Sequence, residues 1–263
     1  MILNMINVTI PVYNEEVQLA LTINRLTRYL SEHVRDHWEI VIVDNASTDR
    51  TLQIAKDLER ENDRVRVVHL QEKGRGRAVK KAWSESCADI LSYMDVDLST
   101  HLTAFTSLIE PLVTGAFDIA VGSRLLTESR VQRGWKREII SRCYNALLKV
   151  GLQVKFSDAQ CGFKAISRAA ADKLLPLVVE NNWFFDTELL VVAETFGYRI
   201  LDLPVHWVDD PDSRVNLFPS IVEHVRGVIR LRNNLGMRRS ARHEIPRPDD
   251  CQCPRLKRGS SSL

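Results

Sequence analysis

The feature that most constrains the fold is a regular alternation of short apolar segments with longer segments of helical periodicity. Strand patterns lie at Ile6–Pro11, Trp38–Val43, Val65–Leu70 and Ile90–Met94, and helix patterns lie between them at Glu15–Leu30, Ser47–Glu61 and Arg77–Ser86. Strands that alternate with helices in this way pair in parallel, because each helix returns the chain to the start of the next strand. The sequence therefore predicts an α/β fold with a Rossmann-type, doubly wound and mostly parallel sheet that has helices on both faces.

The alternation continues beyond the fourth strand with longer interruptions. Helices are predicted at Leu102–Thr114, Arg137–Val150, Arg168–Val179 and Thr187–Phe196, and strands at Asp118–Val121, Phe163–Ile166 and, as an edge strand, Arg199–Leu203. The sequence contains no internal repeat. We therefore expect one domain over residues 1–217, followed by a helix at 218–239 and a proline-containing, disordered tail at 240–263.

Composition and charge exclude several classes of protein. No apolar run approaches the ~18 residues of a transmembrane helix, and five unevenly spread cysteines disfavour a disulfide scaffold. From Arg226 onward the chain has ten basic and three acidic residues, a net charge of +7, against −5 for residues 1–225. We therefore expect an intracellular protein whose basic C-terminal end binds an anionic surface, rather than a protein with general affinity for nucleic acid.

Polar side chains follow each of the first five predicted strands, where ligands bind in an open parallel sheet. The most informative segment is Asp95-Val96-Asp97, directly after the strand at Ile90–Met94. Two carboxylates two residues apart point to the same side and repel each other, and Mg²⁺ or Mn²⁺ relieves this repulsion while it also binds a diphosphate. The competing interpretation is a solvated acidic pair on the surface. The buried strand before the pair favours the metal site.

Two other loops have a functional and a simpler interpretation. The glycine-rich loop from Lys73 to Arg77 precedes a helix and could bind phosphate through its backbone amides, although its spacing is not that of a P-loop. Its simpler interpretation is a flexible turn with solvated cations. Asp44, after the second strand, can accept hydrogen bonds from a base or ribose, or it caps the next helix, a role that Ser47 or Thr48 could fill equally well.

Taken together and in order, these loops resemble glycosyltransferase family 2. The resemblance rests on Pro11-Val12-Tyr13-Asn14-Glu15, on the loop from Val43 to Asp49, on Lys73–Ala78, on Asp95-Val96-Asp97 and on Gly122-Ser123-Arg124. Further along, Asp158–Lys164, Trp183–Glu188 and Leu203–Trp207 are similar to the polyprenyl-phosphate (dolichyl-phosphate) glucosyl- and mannosyltransferase branch. The resemblance covers roughly residues 8–216 and implies a GT-A-like fold.

The resemblance also implies a nucleotide-sugar donor, UDP-glucose or GDP-mannose, and a polyprenyl phosphate acceptor. The implied nucleotide-sugar-binding residues are Pro11, Tyr13, Glu15, Asp44, Lys73 and Asp95; Asp95 and Asp97 would hold Mg²⁺ or Mn²⁺; and Arg124, Arg137 and Arg214 would bind the acceptor phosphate or the leaving diphosphate. Asn45 stands where many relatives have a second Asp, and Ser99 where mannosyl-type relatives often have Gln. The second difference favours glucose over mannose as the transferred sugar.

The nature of the acceptor decides how the implied catalytic residues act. These residues are Asp97, Arg124, Asp186 and Glu188. A phosphate acceptor is already an anion, so inverting transfer needs alignment and relief of charge rather than a strong base, and the last two residues would orient the sugar or active-site cations. A hydroxyl acceptor would instead need Asp186 or Glu188 as general base. A non-catalytic nucleotide-sugar-binding subunit is a third interpretation, and the intact motifs count against it.

The segment after these motifs predicts membrane contact. Apolar residues share one side of a helix, namely Phe218, Ile221, Val222, Val225, Val228, Ile229 and Leu235, and arginines supply positive charge. A basic amphipathic helix lies in the headgroup region of an anionic membrane, or it packs its apolar stripe on the domain. We expect a cytoplasmic protein bound peripherally to the cytosolic face of a membrane, with a separate membrane protein as a further candidate partner.

Overall fold

The computed structural model describes residues 4–209 and 224–233. Its strands are β1 (Met5–Val12), β2 (His37–Asn45), β3 (Val65–Leu70), β4 (Ile90–Met94), β5 (Ile119–Ser123), β6 (Arg130–Gln132), β7 (Phe163–Ser167), β8 (Ile200–Pro204) and β9 (His206–Val208). Seven of them form one sheet in the order β3-β2-β1-β4-β7-β5-β8, and β6 pairs with β9. All pairs are parallel except the two made by β7. The predicted mostly parallel α/β sheet is confirmed.

Helices connect the strands. They are α1 (Leu19–His33), α2 (Thr51–Glu61), α3 (Arg75–Glu85), α4 (Phe105–Val113), α5 (Trp135–Leu152), α6 (Arg168–Leu174) and α7 (Phe185–Thr195). Residues 224–233 are also helical. The strand order reverses at β1, and crossovers between parallel strands are right-handed, so α1 and α2 lie on one face of the sheet and α3 on the other. Consistent with this, α1 contacts α2, whereas α3 contacts α7.

Two predicted helices begin later than their apolar periodicity suggests. The helix predicted from Glu15 begins at Leu19, and the helix predicted from Ser47 begins at Thr51. The loops that precede these two helices are hydrogen-bonded to each other. The Asn14 backbone N–H donates to Ser47 Oγ at 3.0 Å, and Asn14 Oδ1 accepts from the Thr48 N–H at 2.8 Å. These polar contacts replace the first helical turns.

Other differences have local causes. The helix predicted at Arg168–Val179 is α6 followed by a 3-10 turn at Leu175–Leu177, because Pro176 has no N–H to continue an α-helix. The helix predicted at Leu102–Thr114 likewise begins with a 3-10 turn at Leu102–Ala104. Strands β6 and β9 have three residues each, too few to show a periodicity in the sequence.

The antiparallel direction of β7 determines which segments meet at the functional edge of the sheet. Strands β1 to β5 all point the same way, so their carboxyl ends lie at one edge. Strand β7 begins at that edge, and residues 158–162 therefore enter it beside the loops that follow β4 and β5. The Asp95 backbone N–H donates to the Gly162 carbonyl at 3.2 Å.

The described part of the predicted basic helix has one apolar residue packed on the domain and two that are exposed. Val228 is buried against the domain, whereas Val225 and Ile229 are exposed. At spacings of three and four these residues share one side of the helix, so the domain covers only part of that side. Phe218, Ile221, Val222, Leu235 and the tail predicted at 240–263 lie outside the described residues. Within residues 4–209 and 224–233, no helix combines the length and apolar character needed to cross a membrane.

Candidate active site

Arg75 joins two of the predicted acidic residues. Its Nη2 lies 2.6 Å from Asp95 Oδ1, and its Nε lies 3.7 Å from Asp186 Oδ2. Arg75 is the first residue of α3, Asp95 follows β4, and Asp186 lies in the first turn of α7, so three elements meet at this guanidinium. The sequence pattern places Arg75 in a glycine-rich loop but gives no sign that its side chain turns to Asp95.

Asp186 is almost fully buried, with 3% of the residue exposed. Lys164 Nζ lies 2.9 Å from its Oδ1, and the Tyr93 hydroxyl donates to the same oxygen. Burial, and then the charge of Asp186, raises the pKa of Tyr93 well above its usual value, so the phenol keeps its proton. Two cations and a hydroxyl donor thus surround this carboxylate. Such surroundings suit a group that holds cations in place better than one that removes a proton.

Asp95 and Asp97 lie partly exposed at the rim of the sheet. Burial raises the pKa of Asp95; the charges of Arg75 and Lys164 oppose this rise, and the charges of Asp97 and Asp186 add to it. The three carboxylates Asp95, Asp97 and Asp186 thus face two cations, and the one negative charge left over suits a hard cation. Within the described residues no cluster of three or more His, Cys, Asp or Glu side chains forms a metal site. Two carboxylates fit a cation that takes its other ligands from a diphosphate and water.

Asp44 offers an unpaired acceptor at the end of β2. The carboxylate is fully buried, and its Oδ2 lies 2.7 Å from His69 Nδ1. Its Oδ1 has no hydrogen-bond partner among residues 4–209 and 224–233. A buried acceptor without a partner is costly, so a ligand N–H or hydroxyl that reaches Oδ1 would gain a favourable hydrogen bond.

Tyr13 and Lys73 bring together the loops after β1 and β3. Lys73 Nζ lies 3.9 Å from the centroid of the Tyr13 ring and donates to its hydroxyl. This hydrogen bond lowers the pKa of Tyr13. Pro11 is near the end of β1, and Glu15 is half-buried just after it, with its backbone N–H donating to Thr51 Oγ1 at 2.8 Å. The predicted nucleotide-sugar-binding residues of these loops therefore lie on one rim.

The glycine-rich loop is tightly packed. A Cβ atom at Gly76 would lie 2.4 Å from Phe185 Cβ, and the Gly74 N–H donates to Asn45 Oδ1 at 2.8 Å. Gly162 is equally constrained, since a Cβ atom there would lie 1.9 Å from Asp95 Oδ2. The interpretation of the first loop as a flexible turn with solvated cations therefore does not hold.

Arg124 is fixed by a buried counter-ion. Its Nε lies 2.7 Å from Asp158 Oδ2 and its Nη2 lies 3.0 Å from Asp158 Oδ1, a two-point contact. Burial alone would raise the pKa of Asp158, but the charge of Arg124 and its hydrogen bonds outweigh burial and hold this pKa at about 2. Trp207 packs against the guanidinium, with its ring centroid 4.8 Å from Cζ. The orientation of Arg124 is therefore set before any ligand binds.

A cavity of about 440 Å³ opens beside Arg124. Its lining combines cationic and apolar side chains, including Arg124, Leu125, Leu126, Val131, Arg133, Trp135 and Arg142. Burial, and then the positive charge of Arg124, lowers the pKa of Arg133, although Glu138 pairs with this arginine at 2.8 Å. Repulsion between neighbouring guanidinium groups favours an anion between them, while the apolar lining suits a hydrocarbon.

Three predicted site residues lie away from these contacts or outside the described residues. Arg137 pairs with Asp209 at 2.7 Å and is not part of the cavity lining. Glu188 is fully buried and accepts from Arg230 Nη2 at 3.1 Å, so its carboxylate faces the 224–233 helix rather than Asp95. Arg214 lies outside the described residues.

Arg133 and Arg142 are cavity residues that the sequence pattern does not identify. They lie in and after the loop at 127–134, whose path cannot be derived from periodicity. The available signal was the series of arginines from Arg130 to Arg142, which is unusually dense for a segment that contains one acidic side chain, Glu138.

Comparison with known proteins identifies the family. Residues 7–175 match the sequence model described as glycosyl transferase family 2. The chain belongs to this family. The prediction made from the motifs is thereby confirmed.

Two relatives and one solved structure are similar to this chain. Glycosyltransferase AglD of Haloferax volcanii is 36% identical over 222 residues, which cover 82% of this chain and 35% of AglD. Dolichyl-phosphate beta-glucosyltransferase of Saccharomyces cerevisiae is 28% identical over 246 residues, which cover 86% of this chain and 74% of the yeast protein. The chain thus spans about a third of AglD and about three quarters of the yeast relative.

The solved structure is glucosyl-3-phosphoglycerate synthase of Mycobacterium tuberculosis in complex with Mn²⁺, UDP and glucosyl-3-phosphoglycerate. It superposes with a TM-score of 0.63 at 20% identity and covers 93% of this chain and 82% of its own. At this identity the likeness shows the fold alone, and the predicted GT-A-like fold is confirmed.

Proposed function

We propose that the protein is an inverting hexosyltransferase that moves glucose or mannose from UDP-glucose or GDP-mannose to a polyprenyl phosphate at the cytosolic face of a membrane. The observation that carries this proposal is the cavity in which Arg124, Arg133 and Arg142 lie beside apolar side chains. A polyprenyl phosphate combines an anionic end with a hydrocarbon chain and matches both parts of the lining. The name of the yeast relative supports the same acceptor class and favours glucose.

The donor would bind along the rim formed by the loops after β1 to β4. Asp44 Oδ1 offers a hydrogen-bond acceptor to the base or ribose. The adjoining end of β1 and the loops after β1 and β3 contribute Pro11, Tyr13, Glu15 and Lys73. Asp95 and Asp97 would hold Mg²⁺ or Mn²⁺, which, when bound, neutralises charge on the departing diphosphate. The single negative charge that remains when Arg75 and Lys164 are set against Asp95, Asp97 and Asp186 supports this assignment.

Transfer would occur by in-line attack. An oxygen of the acceptor phosphate forms a bond to the anomeric carbon as the bond from that carbon to the donor β-phosphate oxygen breaks. The nucleoside diphosphate leaves with the electron pair, and the anomeric configuration inverts. Arg124, oriented by Asp158, and Arg133 would offset the charge of the acceptor phosphate, which needs no general base because it is ionised at neutral pH.

The acidic residues of α7 would then be positioning residues. Asp186 would hold Arg75 and Lys164, and Glu188 would attach the 224–233 helix through Arg230. The alternative, a hydroxyl acceptor with Asp186 as base, needs an oxygen that is free to take a proton. The burial of Asp186 and its contacts with Lys164 and Tyr93 weigh against that alternative.

The test is incubation with radiolabelled UDP-glucose or GDP-mannose, a polyprenyl phosphate, and Mg²⁺ or Mn²⁺, followed by organic extraction. We expect label in the organic phase with one of the two donors, and loss of that label when the divalent cation is chelated. Asp97→Asn should abolish transfer, whereas Asp57→Asn, at a half-exposed residue paired with Arg60, should not. Label that reaches only water-soluble hydroxyl acceptors would overturn the proposal, and donor binding without any transfer would indicate the non-catalytic subunit.

A further inference from the structure

Helix α5 exposes a strip of apolar side chains. Exposed residues recur at spacings of three and four, as on one face of a helix: Trp135, Ile139, Cys143, Ala146, Leu147 and Val150, with Ile140 at the edge of the same face. Ile139 is 52% exposed and Val150 is 83% exposed. Such a contiguous apolar strip on a helix surface marks an interaction site rather than scattered exposure.

The face that α5 turns to the domain is partly polar. Its buried residues include Ser141 and Asn145 beside Leu148 and Leu152. Asn145 Oδ1 accepts from the Ala159 N–H at 3.0 Å, and Asn145 Nδ2 donates to the Ser141 carbonyl at 3.0 Å. This helix binds its own domain in part through an amide while it exposes isoleucine, leucine and valine, which departs from the usual arrangement with a polar outer face. Its outer face therefore needs a partner to be buried.

The 224–233 helix extends this face. Its inner residues pack on the domain: the His224 ring lies 4.9 Å from the ring of Tyr144 on α5, and a Cβ atom at Gly151 would lie 3.8 Å from Val228 Cγ1. Val225 and Ile229 point outward. We call the set Ile139, Ile140, Cys143, Leu147, Val150, Val225 and Ile229 the apolar platform.

Positive charge accompanies the platform. Three of the arginines of the two helices pair with acids, namely Arg137, Arg142 and Arg230. The remaining cations are exposed, and they are Lys136, Lys149, Arg226 and Arg232. This excess disfavours a second copy of the chain as the partner, because two such faces would repel each other. It complements anionic lipid headgroups, which attract basic residues beside an inserted apolar face.

We propose that the apolar platform enters the interfacial region of an anionic bilayer and that α5, rather than the 224–233 helix alone, is its main lipid contact. Trp135 and Arg142 belong both to α5 and to the lining of the 440 Å³ cavity, so this orientation brings the cavity to the headgroup region. Only the meaning given to this orientation rests on the proposed function. Binding of the platform to a bilayer requires no nucleotide-sugar donor and no hexose transfer.

The first experiment measures co-sedimentation of the full chain with phosphatidylcholine vesicles that contain or lack phosphatidylglycerol. Ile139→Glu/Val150→Glu places two charges on the platform. The matched control is Val17→Glu/Leu21→Glu, at residues of 90% and 73% exposure near and on α1. We expect the platform variant to lose at least tenfold in partitioning onto the anionic vesicles and the control to bind as the unchanged protein does. Equal binding by the platform variant would overturn the proposal.

A second measurement does not depend on charge substitutions. Cys143 on the platform and Cys87 elsewhere are both exposed free cysteines. An environment-sensitive fluorophore at Cys143, with Cys87, Cys251 and Cys253 replaced by serine, should shift to the blue when anionic vesicles are added, and the same fluorophore at Cys87 in a Cys143→Ser background should not. A shift at Cys143 on raising protein concentration without vesicles would assign the platform to a second copy. If the fluorophore at Cys143 shifts neither with vesicles nor with protein concentration, other segments of the same chain cover the platform. Each of these two results would overturn the proposal.

Transfer to a short-chain, water-soluble prenyl phosphate separates this inference from the proposed function. The platform variant should retain this transfer while it loses vesicle binding. If no prenyl phosphate of any length accepts a hexose but Cys143 still reports vesicle binding, the proposed function fails and the membrane surface stands.

Discussion

Arg75 and Asp95 form an ion pair at the rim of the sheet, with Nη2 of the arginine 2.6 Å from Oδ1 of the aspartate. Both side chains are partly buried, and Asp186 Oδ2 lies 3.7 Å from Nε of the same guanidinium. Arg75 therefore occupies the carboxylate that we propose as a ligand of the metal on the donor diphosphate. Binding of a divalent cation at Asp95 would compete with Arg75 and would release its guanidinium for a second anion.

Arg75→Gln should destabilise the protein and make it more responsive to metal. Loss of one partner of a mostly buried ion pair costs about 3 kcal/mol of unfolding free energy, because Asp95 and Asp186 remain without this compensation. Added Mn²⁺ should restore more stability to the variant than it adds to the unchanged protein. The measurement is urea unfolding with and without Mn²⁺, with the exposed Arg60→Gln as control. An equal effect of Mn²⁺ on both proteins would refute competition between Arg75 and the metal.

Asp186→Asn should lower turnover without removing the acid limb of the pH–rate profile. If Asp186 were the general base, the limb that reports the base would disappear when its carboxylate is replaced by an amide. If Asp186 instead holds Arg75 and Lys164, the limb belongs to other groups and survives the substitution. The measurement is kcat/KM for the prenyl phosphate between pH 5 and 9, roughly the range in which such limbs are seen. Disappearance of the limb together with intact donor binding would show that Asp186 acts as a general base rather than as a positioning residue.

The main sheet could be predicted because its strands are short, apolar and separated by periodic helices. The position of the rim follows from this pattern, and with it the neighbourhood of Asp44 and Asp95. The direction of β7 could not be predicted, since a buried strand of five residues has the same pattern in either direction. That direction is what brings Asp158 and Gly162 to the site.

The ion pairs of the site could not be predicted either. Arg75 and Asp95 are separated by twenty positions in sequence, and Arg124 and Asp158 by thirty-four. Their contacts depend on side-chain direction at the ends of different elements, which residue type and spacing do not determine. The outward apolar face of α5 was visible as a periodicity, but the sequence cannot show which face of an amphipathic helix meets the domain.

Arg133→Gln should weaken binding of the acceptor and leave the donor unaffected. Arg133 lines the cavity and lies far enough inside it that burial lowers its pKa. Loss of one charged hydrogen bond to a phosphate costs about 2 kcal/mol, or roughly a thirtyfold rise in KM for the prenyl phosphate. The measurement is steady-state kinetics with each substrate varied, together with calorimetric binding of the nucleotide donor. Arg60→Gln again serves as control, and a parallel loss of donor affinity would show that Arg133 acts on the fold rather than on the acceptor.

Asp158→Asn should destabilise the protein at neutral pH by an amount that shrinks in acid. The pKa of Asp158 is lowered from 3.8 to about 2 in the folded chain, so the unfolded chain binds a proton first as pH falls. The stability contributed by the ionised carboxylate, about 2 kcal/mol from the pKa difference, is complete above pH 4 to 5 and is lost between about pH 4 and pH 2. At neutral pH the variant also leaves Arg124 buried without its counter-ion, which raises the expected cost to about 3 kcal/mol.

Urea unfolding of both proteins from neutral pH down to the lowest pH at which they fold measures the difference. Asp57→Asn, at a half-exposed carboxylate, should show little difference at any pH. A cost of Asp158→Asn that stayed constant as pH fell below 4 would mean that the ion pair with Arg124 does not set the pKa of Asp158.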